Sequence, residues 1–325
     1  PDDAFRCQFV SATADSLRRF WASRYPAARI GPREATNLPP RPKVADSPHV
    51  LHRPRSIAPV NEDRITLAVD DAGVAQVTLN RADKHNALDS AMFDALLEVT
   101  AALRADRRVR AVVVHGAGRS FCSGLDITSL GQGDGAASLL DRDDEQIANR
   151  AQRVSVDWAT VPAPVIAAIT GNCFGGGLQI ALGADIRYAT PDARLSIMEI
   201  KWGLVPDMGI TQTLPRLLSA DVAKELTFTG RIVSGTEAHA LGLVTRAVDD
   251  PLAAALDLAH DIAAKSPHAI QAAKKLYDQT WSGADPAAAL MLESELQGGL
   301  VGSPNQLEAV HAGMARRDPD FADPD

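Results

Sequence analysis

Two glycine-bearing turns stand out as places where main-chain groups can do chemistry. The first is Ser120-Phe121-Cys122-Ser123-Gly124-Leu125-Asp126, and the second is Gly171-Asn172-Cys173-Phe174-Gly175-Gly176-Gly177. Glycine lets a backbone approach a ligand closely. The first N–H groups of a helix lack internal partners and carry the positive end of its dipole. Two such turns together can hold a developing oxyanion, each donor lowering the barrier by about 3 kcal/mol. The same residues equally describe tight turns that let helices pack on a sheet. Other chemistries lack their markers: there is no G-x-x-x-x-G-K-[ST], no H-E-x-x-H and no G-x-S-x-G. Gly131, Gly133 and Gly135 sit in a polar loop without a preceding strand, so they make no dinucleotide fingerprint. Cys7, Cys122 and Cys173 are far apart without C-x-x-C spacing, so no metal site is expected.

The elements that must carry these turns follow from the apolar pattern. Strands are predicted over 65–69, 74–79, 109–115, 165–169, 185–189 and 194–198. Between the second and third, Leu88, Met92, Leu96, Val99 and Leu103 recur at helical spacing, with Asp89, Asp94, Glu98 and Arg104 on the other side. Strands alternating with helices argue for an α/β core with largely parallel pairing, and for a site at the strand ends. After Asp250 the chain turns alanine-rich and helical, with segments opening at Pro251, Pro267, Pro286 and Ser303-Pro304. The predicted boundaries are a core over 61–255 and a helical region over 256–325.

The 325 residues are 46% hydrophobic and 23% charged, an ordinary globular composition that excludes fibrous and wholly disordered classes. Residues 1–60 hold ten Lys/Arg against five Asp/Glu and nine of the twenty prolines, leaving a net −13 on the rest. They read as a disordered extension outside the core, transiently helical over 9–25. A transit peptide is disfavoured because prolines from Pro26 onward break an amphipathic helix. An acidic core without a basic stripe argues against nucleic acid. The uncharged stretch from Trp158 to Ala184 is broken by Pro162, Pro164, Gly171 and the glycine triplet, so it reads as a buried strand, turn and helix rather than a membrane span. Cysteine usage points to a reducing compartment, taken as the cytoplasm.

Asn80-Arg81-Ala82-Asp83-Lys84-His85-Asn86-Ala87-Leu88, the turn 120–126, the glycine triplet 175–177 leading to Ala184-Asp185-Ile186-Arg187, and the tail from Ser303 to Phe321 resemble the successive signatures of the crotonase (enoyl-CoA hydratase/isomerase) superfamily. The resemblance covers roughly residues 63–321. It implies a crotonase-like spiral of ββα units with a C-terminal helical region used in assembly as a homotrimer or hexamer. It also implies an acyl-CoA thioester as partner, CoA entering only as part of the substrate and no separate cofactor. By motif position the thioester oxygen would lie between the N–H groups of Leu125 and Gly176. Ser123, Gly124, Asp126, Ile127 and Gly175 would line the substrate. Lys84, or Lys274 and Lys275, would meet CoA phosphates.

The resemblance further implies two carboxylates in hydratases. The first position is Gln179, whose carboxamide exchanges no proton at useful pH; the second is Glu199, which is retained. Asp207 stands where many hydratases carry glycine and where the dienoyl-CoA isomerase branch has an aspartate, although that branch also has one at the Gln179 place. Gln179, Glu199 and Asp207 are therefore the expected catalytic set, favouring double-bond isomerisation, which needs no water. A hydratase using Glu199 alone and a non-catalytic acyl-CoA-binding subunit are the competing expectations. Cys122 and Cys173 read as small buried residues, and Met198 and Trp202 as pocket walls or core.

Overall fold

The computed structural model describes residues 63–130, 139–142, 146–281 and 283–324. The expectations for residues 1–60 and for Gly131, Gly133 and Gly135 lie outside these. In chain order the elements are β1 (Ile65–Val69), β2 (Val74–Leu79), α1 (Ser90–Ala105), β3 (Ala111–Gly116), α2 (Ile127–Leu130) and α3 (Arg150–Val156). Next come β4 (Val165–Ile169), β5 (Asn172–Phe174), α4 (Gly176–Leu182), β6 (Ile186–Ala189), β7 (Arg194–Ser196), α5 (Ile210–Thr213) and α6 (Ala220–Thr229). The chain ends with β8 (Val233–Ser234), α7 (Gly235–Leu241), β9 (Arg246–Ala247), α8 (Pro251–Ala263), α9 (Pro267–Thr280), α10 (Pro286–Leu300) and α11 (Pro304–Ala315).

A six-stranded sheet runs β1-β2-β3-β4-β6-β9; β1 pairs antiparallel with β2, and every later pairing is parallel. Every residue of β4 is buried, as expected for an inner parallel strand covered on both faces. One face meets the main core, where Met92, Leu96, Val99 and Leu103 of α1 form the stripe their spacing predicted. Asp89 starts that helix, its carboxylate accepting from the Met92 N–H at 2.9 Å. The other face packs Val113, Ile166, Ala168 and Tyr188 under Ala255, Ala259 and Ala263 of α8. Alanines at every fourth position let the helix lie close to the sheet.

A second sheet, β5-β7-β8, stands apart from the first. Its first strand falls at 172–174, inside a stretch whose glycines read as a turn. Three predicted strands are shorter than their apolar runs, β6 by one residue because it begins at Ile186. Val109 donates back to Asp106 O and Arg110 to Gly73 O, so β3 begins at Ala111. Met198 turns into the right-handed region and starts a 3-10 turn, Glu199–Trp202, so β7 stops at Ser196. That early stop points the 3-10 turn back toward the glycine triplet.

Candidate active site

Backbone hydrogen bonds stitch the two glycine turns together. Phe121 donates to Thr170 O at 2.8 Å, Cys122 to Asn172 O at 3.0 Å and Phe174 to Cys122 O at 3.0 Å, making an isolated parallel bridge between Cys122 and Cys173. Leu88 donates to Gly124 O and Asp126 to Leu88 O, both at 2.9 Å, which holds Leu125 beside Leu88. Among the described residues, neither the Leu125 N–H nor the Gly176 N–H donates a hydrogen bond. Gly124 has φ +89°, and a Cβ there would lie 2.8 Å from Phe174 O and 3.8 Å from the Gly176 nitrogen, so the turns touch. Gly175, just before the first residue of α4, has φ +52° and ψ −122°, a conformation side chains disfavour.

Glu199 reaches this junction from the turn after β7. A Cβ on Gly175 would stand 3.4 Å from Glu199 Oε1 and 3.9 Å from Oε2. Gln179, one turn into α4 and buried, donates from Nε2 to Glu199 Oε1 at 2.6 Å and accepts at Oε1 from the Met208 N–H at 2.9 Å. Glu199 Oε2 is buried without a hydrogen-bond partner. Burial raises the Glu199 pKa above the ordinary glutamate range, and the nearby charge of Asp207 adds to this. The backbone N–H groups of Glu199 and Met198 and the Gln179 amide pull the other way. A buried carboxyl whose pKa is raised in this way is suited to take and return a proton.

The remaining expected residues divide. Asp207 is exposed on the loop that follows Pro206 and makes its charge felt at Glu199. Ser123 lies half-buried with its hydroxyl donating to Lys84 O at 3.4 Å, and Ile127 is exposed beside Leu125. Asp126 pairs with Arg81 at 2.8 Å and accepts from the Thr128 N–H and hydroxyl, which draws its pKa down. Its carboxylate thus anchors the turn behind Leu125. Lys84 is exposed at the end of a 3-10 turn, Ala82–Lys84. Lys274, one of the lysines expected to meet phosphate, is instead engaged internally: it pairs with Asp185 at 2.8 Å and donates to the carbonyls of Trp158 and Ala163. It lines a cavity of about 420 Å³ with Gly183, Asp185, Asp278 and Trp281, which contains none of the junction residues.

Two residues escaped the sequence reading. Asn86 is fully buried with φ +55°; its side chain accepts from Arg81 N–H and donates to the carbonyls of Ala117, Ser120 and Phe121. It ties the loop before α1 to the first turn. An asparagine beside another polar residue before a helix start is the available signal, since asparagine tolerates the left-handed region. Met208 lies over the second turn: a Cβ on Gly176 would meet its Sδ at 2.7 Å and Leu88 Cδ1 at 2.9 Å. Nothing in the periodicity singles out Met208.

Comparison with known proteins identifies the family. A family model described as Enoyl-CoA hydratase/isomerase matches residues 70–324. The chain is 36% identical over 262 residues to human enoyl-CoA hydratase domain-containing protein 2, mitochondrial, covering 78% of this chain and 87% of that protein. It is 37% identical over 233 residues to mouse Delta(3,5)-Delta(2,4)-dienoyl-CoA isomerase, mitochondrial, covering 68% and 70% respectively. Among solved structures, enoyl-CoA hydratase from Bacillus anthracis aligns with a TM-score of 0.71 at 29% identity, over 79% of this chain and 98% of that one. With the family model matched over residues 70–324 and these relatives aligned over two thirds or more of its length, the chain belongs to the enoyl-CoA hydratase/isomerase family of the crotonase superfamily.

Proposed function

We propose that this chain is an acyl-CoA double-bond isomerase acting on 3-enoyl-CoA or dienoyl-CoA thioesters. The carrying observation is the Glu199 carboxyl, one oxygen bonded to Gln179 and the other buried and unpartnered, lying against Gly175 where two turns with unengaged amides touch. Glu199 takes a proton from the carbon next to the thioester. The electron pair moves into the carbonyl, and the enolate oxygen is held by Leu125 and Gly176 N–H. The proton returns at the far end of the conjugated system, with Asp207 as a second acid/base. Each donor aimed at the enolate contributes about 3 kcal/mol. Ser123, Gly124, Gly175, Asp126 and Ile127 shape the thioester seat, and Lys84 supplies positive charge for CoA phosphate.

Gln179 supports isomerisation over hydration, because water addition in this arrangement needs a second proton-exchanging group, and a carboxamide is not one. Assembly into homotrimers or hexamers belongs to the same proposal. It is supported by apolar side chains left exposed on α10 and α11, among them Leu290, Met291, Leu307 and Met314. Buried, unpaired thiols at Cys122 and Cys173 support a reducing, cytosol-like compartment, whereas the two mammalian relatives carry "mitochondrial" in their names.

The test is Glu199→Gln assayed on 2-enoyl, 3-enoyl and dienoyl thioesters by absorbance of the conjugated product and by mass. The expected result is a shift of absorbance without mass change, reduced at least about a hundredfold in the variant. Gain of one water would favour a hydratase. Tight CoA binding with no conversion would favour a non-catalytic subunit, and undiminished turnover in Glu199→Gln would end the assignment.

A further inference from the structure

We propose that Gln179 is a positioning residue whose amide presets which oxygen of Glu199 carries the proton, and so confines proton transfer to Oε2. The inference rests on Glu199 being the acid/base. The Met208 backbone nitrogen can only donate, so the Gln179 atom 2.9 Å from it is the oxygen. The NH₂ end must then face Glu199, 2.6 Å from Oε1. A carboxyl accepts best through its unprotonated oxygen, so Oε1 is held as the acceptor. The proton is left to Oε2, which no described group touches with a hydrogen bond.

The amide itself has little freedom. Gln179 is 1% exposed, its backbone N–H donates to Gly175 O at 3.0 Å, and its carbonyl accepts from the Ser155 hydroxyl at 2.5 Å. Through Met208 it also secures the loop that carries Asp207 and the thioether lying over Gly176. One carboxamide therefore links the base, the second oxyanion turn and the neighbouring acid. A glutamate here could still accept from Met208 N–H. Its other oxygen would meet Glu199 Oε1 as a second acceptor, and the pair would have to share a proton.

The experiment follows the Glu199 carboxyl by isotope-edited infrared titration, the band being assigned by its loss in Glu199→Gln, in wild type, Gln179→Met and Gln179→Glu. This readout needs no turnover, so it stands even if the proposed reaction does not. Loss of the donor in Gln179→Met should raise the Glu199 midpoint by about one pH unit or more, because an N–H to carboxylate bond favours the charged form. kcat should fall about tenfold or more while KM changes less than about threefold, since the thioester contacts are intact. Gln179→Glu, which keeps the bond to Met208, should titrate in two separated steps. Unchanged midpoints in folded Gln179→Met, or a single unshifted step in Gln179→Glu, would overturn the proposal. Full turnover in Glu199→Gln with shifted midpoints would instead sink the assigned reaction and leave the clamp standing.

Discussion

At the scale of single residues the site sets a buried carboxyl against inert thiols. Burial pushes the Cys122 thiol up to about 12 and raises Cys173 as well, so neither supplies a thiolate near neutrality. Burial of the Glu199 carboxyl makes the stability of the fold depend on pH. Its pKa is higher folded than unfolded, so the native state binds the proton more tightly. The stability this brings is complete below the ordinary glutamate value of 4.5 and is lost as pH rises through the raised folded value. Glu199→Gln keeps the shape and removes the ionisation. Melting curves of the two proteins should coincide at pH 4 and separate toward pH 8, with the variant melting higher. A variant that melts lower at pH 8 would mean the carboxylate stabilises the fold.

At the scale of elements, the position of the Leu125 amide depends on close backbone packing between turns. Gly124→Ala would place a methyl 2.8 Å from Phe174 O, a backbone atom that cannot swing away, at a φ of +89° that disfavours any side chain. The turns must part, and the Leu125 and Gly176 amides with them. The expected outcome is a loss of about 2 kcal/mol in denaturant unfolding. A fall of about a hundredfold in kcat/KM should accompany it, measured with the preferred thioester. Stability lost without activity lost would mean the amides do not converge on the substrate.

At the scale of the whole molecule, the C-terminal segment is tied back to the sheet by one arginine at the start of β3. Arg110 donates to Phe321 O at 2.7 Å and pairs with Asp323 at 2.9 Å, while Asn305 of α11 exchanges two hydrogen bonds with Ala322. Arg110→Ala should lower unfolding free energy by about 2 kcal/mol, the scale of hydrogen bonds to a charged group. It should also raise hydrogen exchange over residues 318–324, read by mass spectrometry. Unchanged exchange there would show that Asn305 and Glu308, which accepts from the Asp320 N–H, hold the segment without it.

What the sequence determined by itself was whatever depends on local pattern. The stripe 92–103 made α1, the apolar run 165–169 made a strand buried on both faces, and the order of four motifs marked the family. The glycine turns were legible because positive φ and close approach demand glycine wherever they occur. Partnership across the chain was not legible. Lys274 was expected to meet phosphate and is bound to Asp185, the buried Asn86 side chain ties the loop before α1 to the first glycine turn, and Met208 showed no pattern before it lay over Gly176. The reason is physical: periodicity encodes which face of an element is apolar. The groups that meet at the junction, Gln179, Glu199 and Met208, lie 20 and 29 residues apart and are brought within hydrogen-bond reach only when α4 and the turn after β7 pack together.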